Sequence, residues 1–205
     1  ARNTAVVSLK FLREYGKKNG FKKDFFTKAD KLARARVTPS LLYNCIDIVK
    51  RDPSEKTINR LLAQLRDSPK MIGEKGERLI KNGMKIMTHC HSSEFMGLLK
   101  EAKKRGRKFE VYVTETRPVN QGHSAAKELL KLGIPVKLIT DSAAGYYMKD
   151  VDMLLIGSDA IRKEGIVNKT GTMMMALTAQ KFKKPVYSCA TVLKLDNSCL
   201  LYTSD

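Results

Sequence analysis

The chain has 205 residues, of which 39 are Lys or Arg and 21 Asp or Glu, giving a net charge of +18. A chain of this length buries about 70% of its unfolded surface, enough for one large domain or a domain and a half. No run approaches the ~20 apolar residues needed to cross a bilayer and no signal-peptide pattern opens the sequence, so no membrane role is expected. The four cysteines, Cys45, Cys90, Cys189 and Cys199, form neither a CxxC pair nor a zinc-ligand spacing. Free thiols in a reducing, cytoplasmic setting are expected, with Cys45 and Cys189 in the core. The positive charge suits nucleic acid, a multiply phosphorylated small molecule or a merely solvated basic surface. Runs such as Lys17-Lys18, Lys22-Lys23, Lys103-Lys104-Arg105 and Lys183-Lys184 fall at predicted helix ends or turns, where cations offset the helix dipole. The solvated surface therefore leads, and a nucleic-acid partner is not expected.

In chain order, residues 1 to 82 carry helical periodicity without strand-like runs. Apolar residues recur at Val7, Phe11 and Tyr15, then at Leu41, Leu42, Cys45, Ile46 and Val49, then at Leu61, Leu62 and Leu65. Turn signals at Asn19-Gly20, Pro39, Asp52-Pro53 and Ser68-Pro69 separate them. A last helix is predicted over Lys70 to Lys81, stopping at Asn82-Gly83. From residue 83 onward short apolar runs alternate with helical segments. Strands are predicted at 84–89, 109–114, 135–140, 152–157 and 185–190, and helices at 93–105, 120–132, 142–148 and 170–183. Such β-α alternation with short loops means a mainly parallel, doubly wound sheet. The expected organisation is an N-terminal helical domain, 1–82, followed by a Rossmann-like α/β catalytic domain, 83–205.

In such sheets ligands bind at the carboxyl ends of the strands. The first strand delivers Thr88-His89-Cys90-His91-Ser92-Ser93 there. A thiol near the first amides of a helix is favoured as thiolate. Ser92 and Ser93 suit phosphate, although Ser93 suits a helix cap equally. The second strand delivers Thr114, Glu115 and Arg117, with Arg117 expected to brace the loop through Glu115. The third delivers Asp141-Ser142, read mainly as a cap, and the fourth delivers Asp159. Asn168-Lys169 opens a further helix and offers a second anion seat, and the fifth strand leads to Lys194. The three histidines lack a metal-ligand constellation, so no metal is expected.

The order and tight spacing of Thr-His-Cys-His-Ser-Ser, Val-Thr-Glu-Thr-Arg-Pro, Gln-Gly, Gly-Ile-Pro-Val, Thr-Asp-Ser-Ala-Ala-Gly, Gly-Ser-Asp and Asn-Lys-Thr-Gly-Thr are far more specific than any single piece. The stretch from about 70 to 196 resembles the family uniting archaeal ribose 1,5-bisphosphate isomerases, methylthioribose 1-phosphate isomerases and the regulatory subunits of translation initiation factor 2B. Cys90 and Asp159 match the catalytic pair of the isomerase branches. His91-Ser92-Ser93 and Asp141-Ser142-Ala143-Ala144 resemble the ribose bisphosphate enzymes. Arg2-Asn3-Thr4 stands where those isomerases carry an Arg-Gly-Ala phosphate loop, and Arg36-Val37-Thr38 stands where they carry Arg-Pro-Thr.

The resemblance implies a cofactor-free aldose–ketose isomerase acting on a phosphorylated sugar in nucleotide salvage. Cys90 and Asp159 would be its acid/base pair, and Arg2, Asn3, Arg36, Ser92, Ser93, Asn168, Lys169 and Lys194 would hold substrate. It also implies a homo-oligomer, dimer or hexamer, and for some members activation by AMP. A non-catalytic regulatory relative of initiation factor 2B and a methylthioribose 1-phosphate isomerase are the alternatives.

Overall fold

A computed structural model describes residues 2–34 and 40–196. Four helices open the chain: α1 (Arg2–Asn19), α2 (Lys23–Arg34), α3 (Ser40–Arg51) and α4 (Glu55–Gly76). Then follow β1 (Lys85–Thr88), α5 (Ser93–Lys104), β2 (Glu110–Thr114), α6 (Gln121–Lys131), β3 (Val136–Ile139), the short α7 (Ala144–Tyr147) and β4 (Met153–Ile156). A two-stranded hairpin, β5 (Ala160–Arg162) and β6 (Gly165–Val167), leads to α8 (Thr172–Lys181) and β7 (Val186–Ser188).

The described residues pack as two compact units. One draws on 69–158 and 168–190, the other on the described residues within 2–68, 159–167 and 191–196. The expected division had a single border after residue 82. The packing interleaves along the chain because the hairpin and the 3₁₀ turn Val192–Lys194 belong with the early helices: Leu193 enters their core, and Ile161 bridges Leu195.

In the sheet-bearing unit, β3-β2-β1-β4-β7 is the strand order, and every pairing is parallel. Side chains alternate across the strands, so both faces are apolar. Ile86, Val111, Val113, Met153 and Leu155 meet Phe95, Leu98 and Leu99 of α5 and Ala125 and Leu129 of α6. On the other face Met87, Tyr112, Leu154 and Ile156 meet Ala144, Met148, Met175 and Ala179. The chain builds outward from β1 through β2 to β3, then returns to β4 on the other flank of β1. That reversal places a topological switch point at the ends of β1 and β4, the position at which open α/β sheets bind ligands. All five predicted strands are present, each ending within one or two residues of its expected limits.

The helical unit departs from its predicted pattern in two places. On α1 the buried face is Ala5, Leu9, Leu12 and Gly16; of the predicted stripe Val7 (66%) and Phe11 are exposed, and Tyr15 alone packs against the core. Two apolar stripes run along this helix, and periodicity alone does not rank them. Secondly, no break falls at Ser68-Pro69: α4 continues through the proline, and a 3₁₀ turn Glu77–Leu79 completes the segment predicted as a separate helix. Proline lacks the N–H that would bond the carbonyl four residues back. The orphaned Leu65 carbonyl instead accepts from Ser68 Oγ at 3.3 Å and from Arg2 Nε at 2.9 Å. The pattern of α3 is as expected, with Leu41, Leu42, Cys45, Ile46 and Val49 all buried, and burial pushes the Cys45 thiol up to about 12.

Candidate active site

At the carboxyl edge of the sheet, β1 ends at Thr88 and the chain turns sharply. His89 is 1% exposed, and Cys90, half-buried, takes a left-handed backbone with φ of 71°. For a residue with a Cβ that conformation costs roughly 1–2 kcal/mol. The turn reorients the flanking histidines. His89 points into the protein, while His91 is exposed and bonds Glu128 at 2.8 Å.

His89 is held at both nitrogens. Nε2 lies 2.7 Å from the Thr170 carbonyl, which can only accept, so Nε2 carries the proton. Nδ1 lies 2.6 Å from Thr114 Oγ1 and, in the neutral ring, accepts from it. Burial holds the His89 pKa below its ordinary value, with the charge of Lys169 adding to this. The Thr170 carbonyl and Asp141 pull the other way. Gly171, next in the loop, has φ of 96°, and a Cβ there would stand 3.3 Å from His89 Nε2.

Asp141 does not cap its own helical turn. Its carboxylate crosses to the end of β2, accepting from Thr116 N at 2.8 Å and Arg117 N at 2.7 Å. Burial alone would raise its pKa, but those two N–H groups, with His89 and Thr114, outweigh it and hold the carboxyl below the usual range. Arg117 therefore braces the loop through its backbone and not through Glu115. Thr116 in turn accepts from Cys90 N at 2.9 Å through its hydroxyl.

Both depressed values have the same sign in stability. A native state that resists protonation is fully stabilised above the unfolded pKa and weakens as pH falls through the folded one. Stability is thus expected to decline below 6.5, the ordinary His value, as the unfolded chain takes up His89's proton, and again below 3.8 for Asp141. Thermal unfolding followed by circular dichroism from pH 8 to pH 3 reads this. A His89→Gln variant is expected to lose the upper step, and an identical pH slope in the variant would refute the assignment.

The next turn opens α5. Ser92 is the N-cap, with Oγ accepting from Glu94 N at 3.3 Å. Glu94, 3% exposed, draws in both serine hydroxyls: Ser92 Oγ donates to Glu94 Oε2 at 2.7 Å and Ser93 Oγ at 3.2 Å. The strand end of β4 passes close by, and a Cβ on Gly157 would come within 2.5 Å of Ser92 Cβ. Asn168 Nδ2 donates to Thr172 Oγ1 at 3.0 Å at the mouth of α8, and Lys169 beside it is half-buried. The sheet-bearing unit thus gathers Cys90, Ser92, Ser93, Asn168 and Lys169 at one edge.

The remaining predicted residues belong to the helical unit. Asp159 follows β4 by three residues, is half-buried, and bonds Val167 O through its N–H at 2.8 Å. Ser40 Oγ donates to both the Asp159 carbonyl, at 3.2 Å, and the Lys194 carbonyl, at 3.0 Å. One hydroxyl therefore fixes the backbone of both residues, and Lys194 is buried. Arg2 is half-buried and spends its Nε on Leu65; Asn3 is exposed on α1. Arg36 lies outside the described residues. Sequence reasoning missed the roles of Thr116, Asp141 and Glu94. Only the recurrence of polar residues just past each strand end could have signalled them. No group of His, Cys, Asp and Glu suited to a metal ion occurs among the described residues, and no described helix is long and apolar enough to cross a membrane.

A parallel sheet reversing at its centre, with a thiol and two helix N-termini at that reversal, defines a doubly wound α/β protein. Residues 2–204 match the initiation factor 2 subunit family, and the chain belongs to it. It is 37% identical over 187 residues to ribose 1,5-bisphosphate isomerase of Haloferax volcanii, a match covering 85% of this chain and 58% of that protein. With the enzyme of the same name from Archaeoglobus fulgidus it shares 35% over 211 residues, 98% of this chain and 67% of that one. Among solved structures, the translation initiation factor eIF-2B of Pyrococcus horikoshii OT3 superposes with a TM-score of 0.87 at 25% identity, covering 94% of this chain and 73% of that one. The chain therefore spans 58% and 67% of the lengths of the two isomerases.

Proposed function

We propose that this chain carries the catalytic machinery of a sugar-phosphate isomerase that converts ribose 1,5-bisphosphate to ribulose 1,5-bisphosphate in nucleotide salvage. The observation that carries the reading is Cys90: a half-buried thiol, held in a costly backbone conformation where β1 turns into α5. A thiol kept only to fill space needs no such turn. The similarity to two isomerases of that name supports the substrate class.

The 1-phosphate locks the sugar as a ring, so isomerisation begins with ring opening. Protonated Asp159 gives its proton to the ring oxygen as the C1–O bond breaks. The Cys90 thiolate takes the C2 proton, and the C2–H electron pair becomes the C1=C2 bond of an enol. The thiol then returns its proton to C1, and Asp159 takes the proton of the C2 hydroxyl as the ketone forms. Both groups end as they began, and no cofactor enters the balance. Ser92 and Ser93 exchange their bonds to Glu94 for bonds to one phosphate. Lys169 and Asn168 at the mouth of α8, with Lys194, Arg2, Asn3 and Arg36, serve the rest of the substrate.

Incubation of the pure protein with α-ribose 1,5-bisphosphate, with and without AMP, should yield ribulose 1,5-bisphosphate, and an Asp159→Asn variant should lose about 10²–10⁴-fold in turnover. Size measurement in the same samples is expected to give a dimer or hexamer. The likeness to a translation initiation factor favours a second reading, a regulatory binding protein. No turnover by the folded protein under either condition would select that reading.

A further inference from the structure

We propose that Thr116 and Asp141 are positioning residues, forming a clamp across three strand ends that holds Cys90 in its working conformation. The inference rests on the reading of Cys90 as the base that moves the C2 proton. Its physical basis is the coincidence of strain and hydrogen bonding at one edge of the sheet.

Among the described residues, four non-glycine positions have positive φ: Cys90, Thr116, Asn120 and Lys183. Thr116, with φ of 64°, is the most demanding because its side chain is β-branched. Such a conformation persists only where surrounding bonds over-determine it. Here they do. The successive N–H groups of Thr116 and Arg117 converge on the two oxygens of Asp141 at 2.8 and 2.7 Å. Converging amides of this kind form an anion-binding nest, and the protein fills it with its own carboxylate. The Thr116 hydroxyl donates to Thr114 O at 3.1 Å, which turns its lone pairs towards the N–H of Cys90, 2.9 Å away.

The order of dependence follows. Asp141, after β3, fixes Thr116, after β2, and Thr116 fixes Cys90, after β1. A role confined to closing the loop before α6 would account for the Asp141 bonds. It would leave unexplained why the second strained residue of the edge is the thiol, and why its N–H is the group the Thr116 hydroxyl receives.

The test measures two properties in Thr116→Val, Thr116→Ser, Asp141→Asn and the parent. The first is the rate at which iodoacetamide alkylates Cys90 at fixed pH, read by peptide mass spectrometry with buried Cys45 as internal reference. The second is kcat and KM for ribose 1,5-bisphosphate. Thr116→Val, which keeps the shape and loses the acceptor, should change Cys90 alkylation at least about five-fold and lower kcat by about 10–100-fold with KM little altered, the loss expected when a reacting group is misplaced by about an ångström. Thr116→Ser should restore both, and Asp141→Asn should fall between. Unchanged alkylation in folded Thr116→Val and Asp141→Asn would overturn the clamp, as would a serine variant no better than valine. If Thr116→Val does not fold, Asp141→Asn decides alone. Absence of turnover in the parent would overturn the isomerase reading instead, and the alkylation rates would still decide the clamp.

Discussion

Cys90→Ser is expected to lower turnover of ribose 1,5-bisphosphate by about 10²–10⁴-fold, the range for removing a group that moves a proton in the transition state. The same variant should keep its fold. Serine retains the backbone N–H that Thr116 receives at 2.9 Å, so the turn after β1 stays pinned. The side chain is half-buried, and exchanging sulfur for oxygen there opens no large cavity. What changes is the chemistry: a hydroxyl offers essentially no anion at neutral pH, whereas a thiol beside a helix N-terminus does. Steady-state kinetics together with a urea unfolding curve separate the two effects. A variant that keeps more than about a tenth of parental turnover would show that another group takes the proton.

The largest loss of stability is expected from Gly122→Ala. A Cβ on Gly122 would lie 1.7 Å from the Thr114 carbonyl oxygen and 2.8 Å from its carbon. Both are backbone atoms at the end of β2, so no side chain can rotate away. The helix cannot simply step back either, because Gly122 N bonds Glu115 O at 3.2 Å and Ala125 and Leu129 of the same helix sit in the core. A cost of more than about 3 kcal/mol follows, beyond the usual range for an overpacked site. Urea denaturation should show either no cooperative transition or a midpoint far below the parent. A loss under about 1 kcal/mol would mean that α6 can slide along β2, against the contacts described.

How much of this was written in the sequence depends on how far apart the cooperating residues lie. The strands declared themselves because each is a short apolar run between turn signals, and a fully buried parallel sheet needs such runs on both faces. Cys90 was legible for the same reason: it closes one of them. The clamp around it was not. A left-handed turn at a cysteine or a threonine leaves no mark in composition, and the bonds that hold it come from loops after two other strands. The path of α4 through Pro69 was hidden by distance as well. Its stray carbonyl is met by Arg2, 63 residues earlier, and no local rule anticipates that rescue. The β5–β6 hairpin escaped because its strands are three residues each, too short to show alternation.

The interleaving of the two units bears on the order in which a nascent chain can fold. The sheet-bearing unit is assembled from Pro69–Ser158 and Asn168–Ala190, built mostly of neighbouring β-α steps. The core of the helical unit, although most of it precedes the sheet in the sequence, includes Leu193. That core therefore gains Leu193 only after β1 to β7 have been synthesised. Domains commonly fold in the order of synthesis. Here the helical unit, whose helices precede the sheet in the sequence, takes its Leu193 from beyond the sheet's last strand.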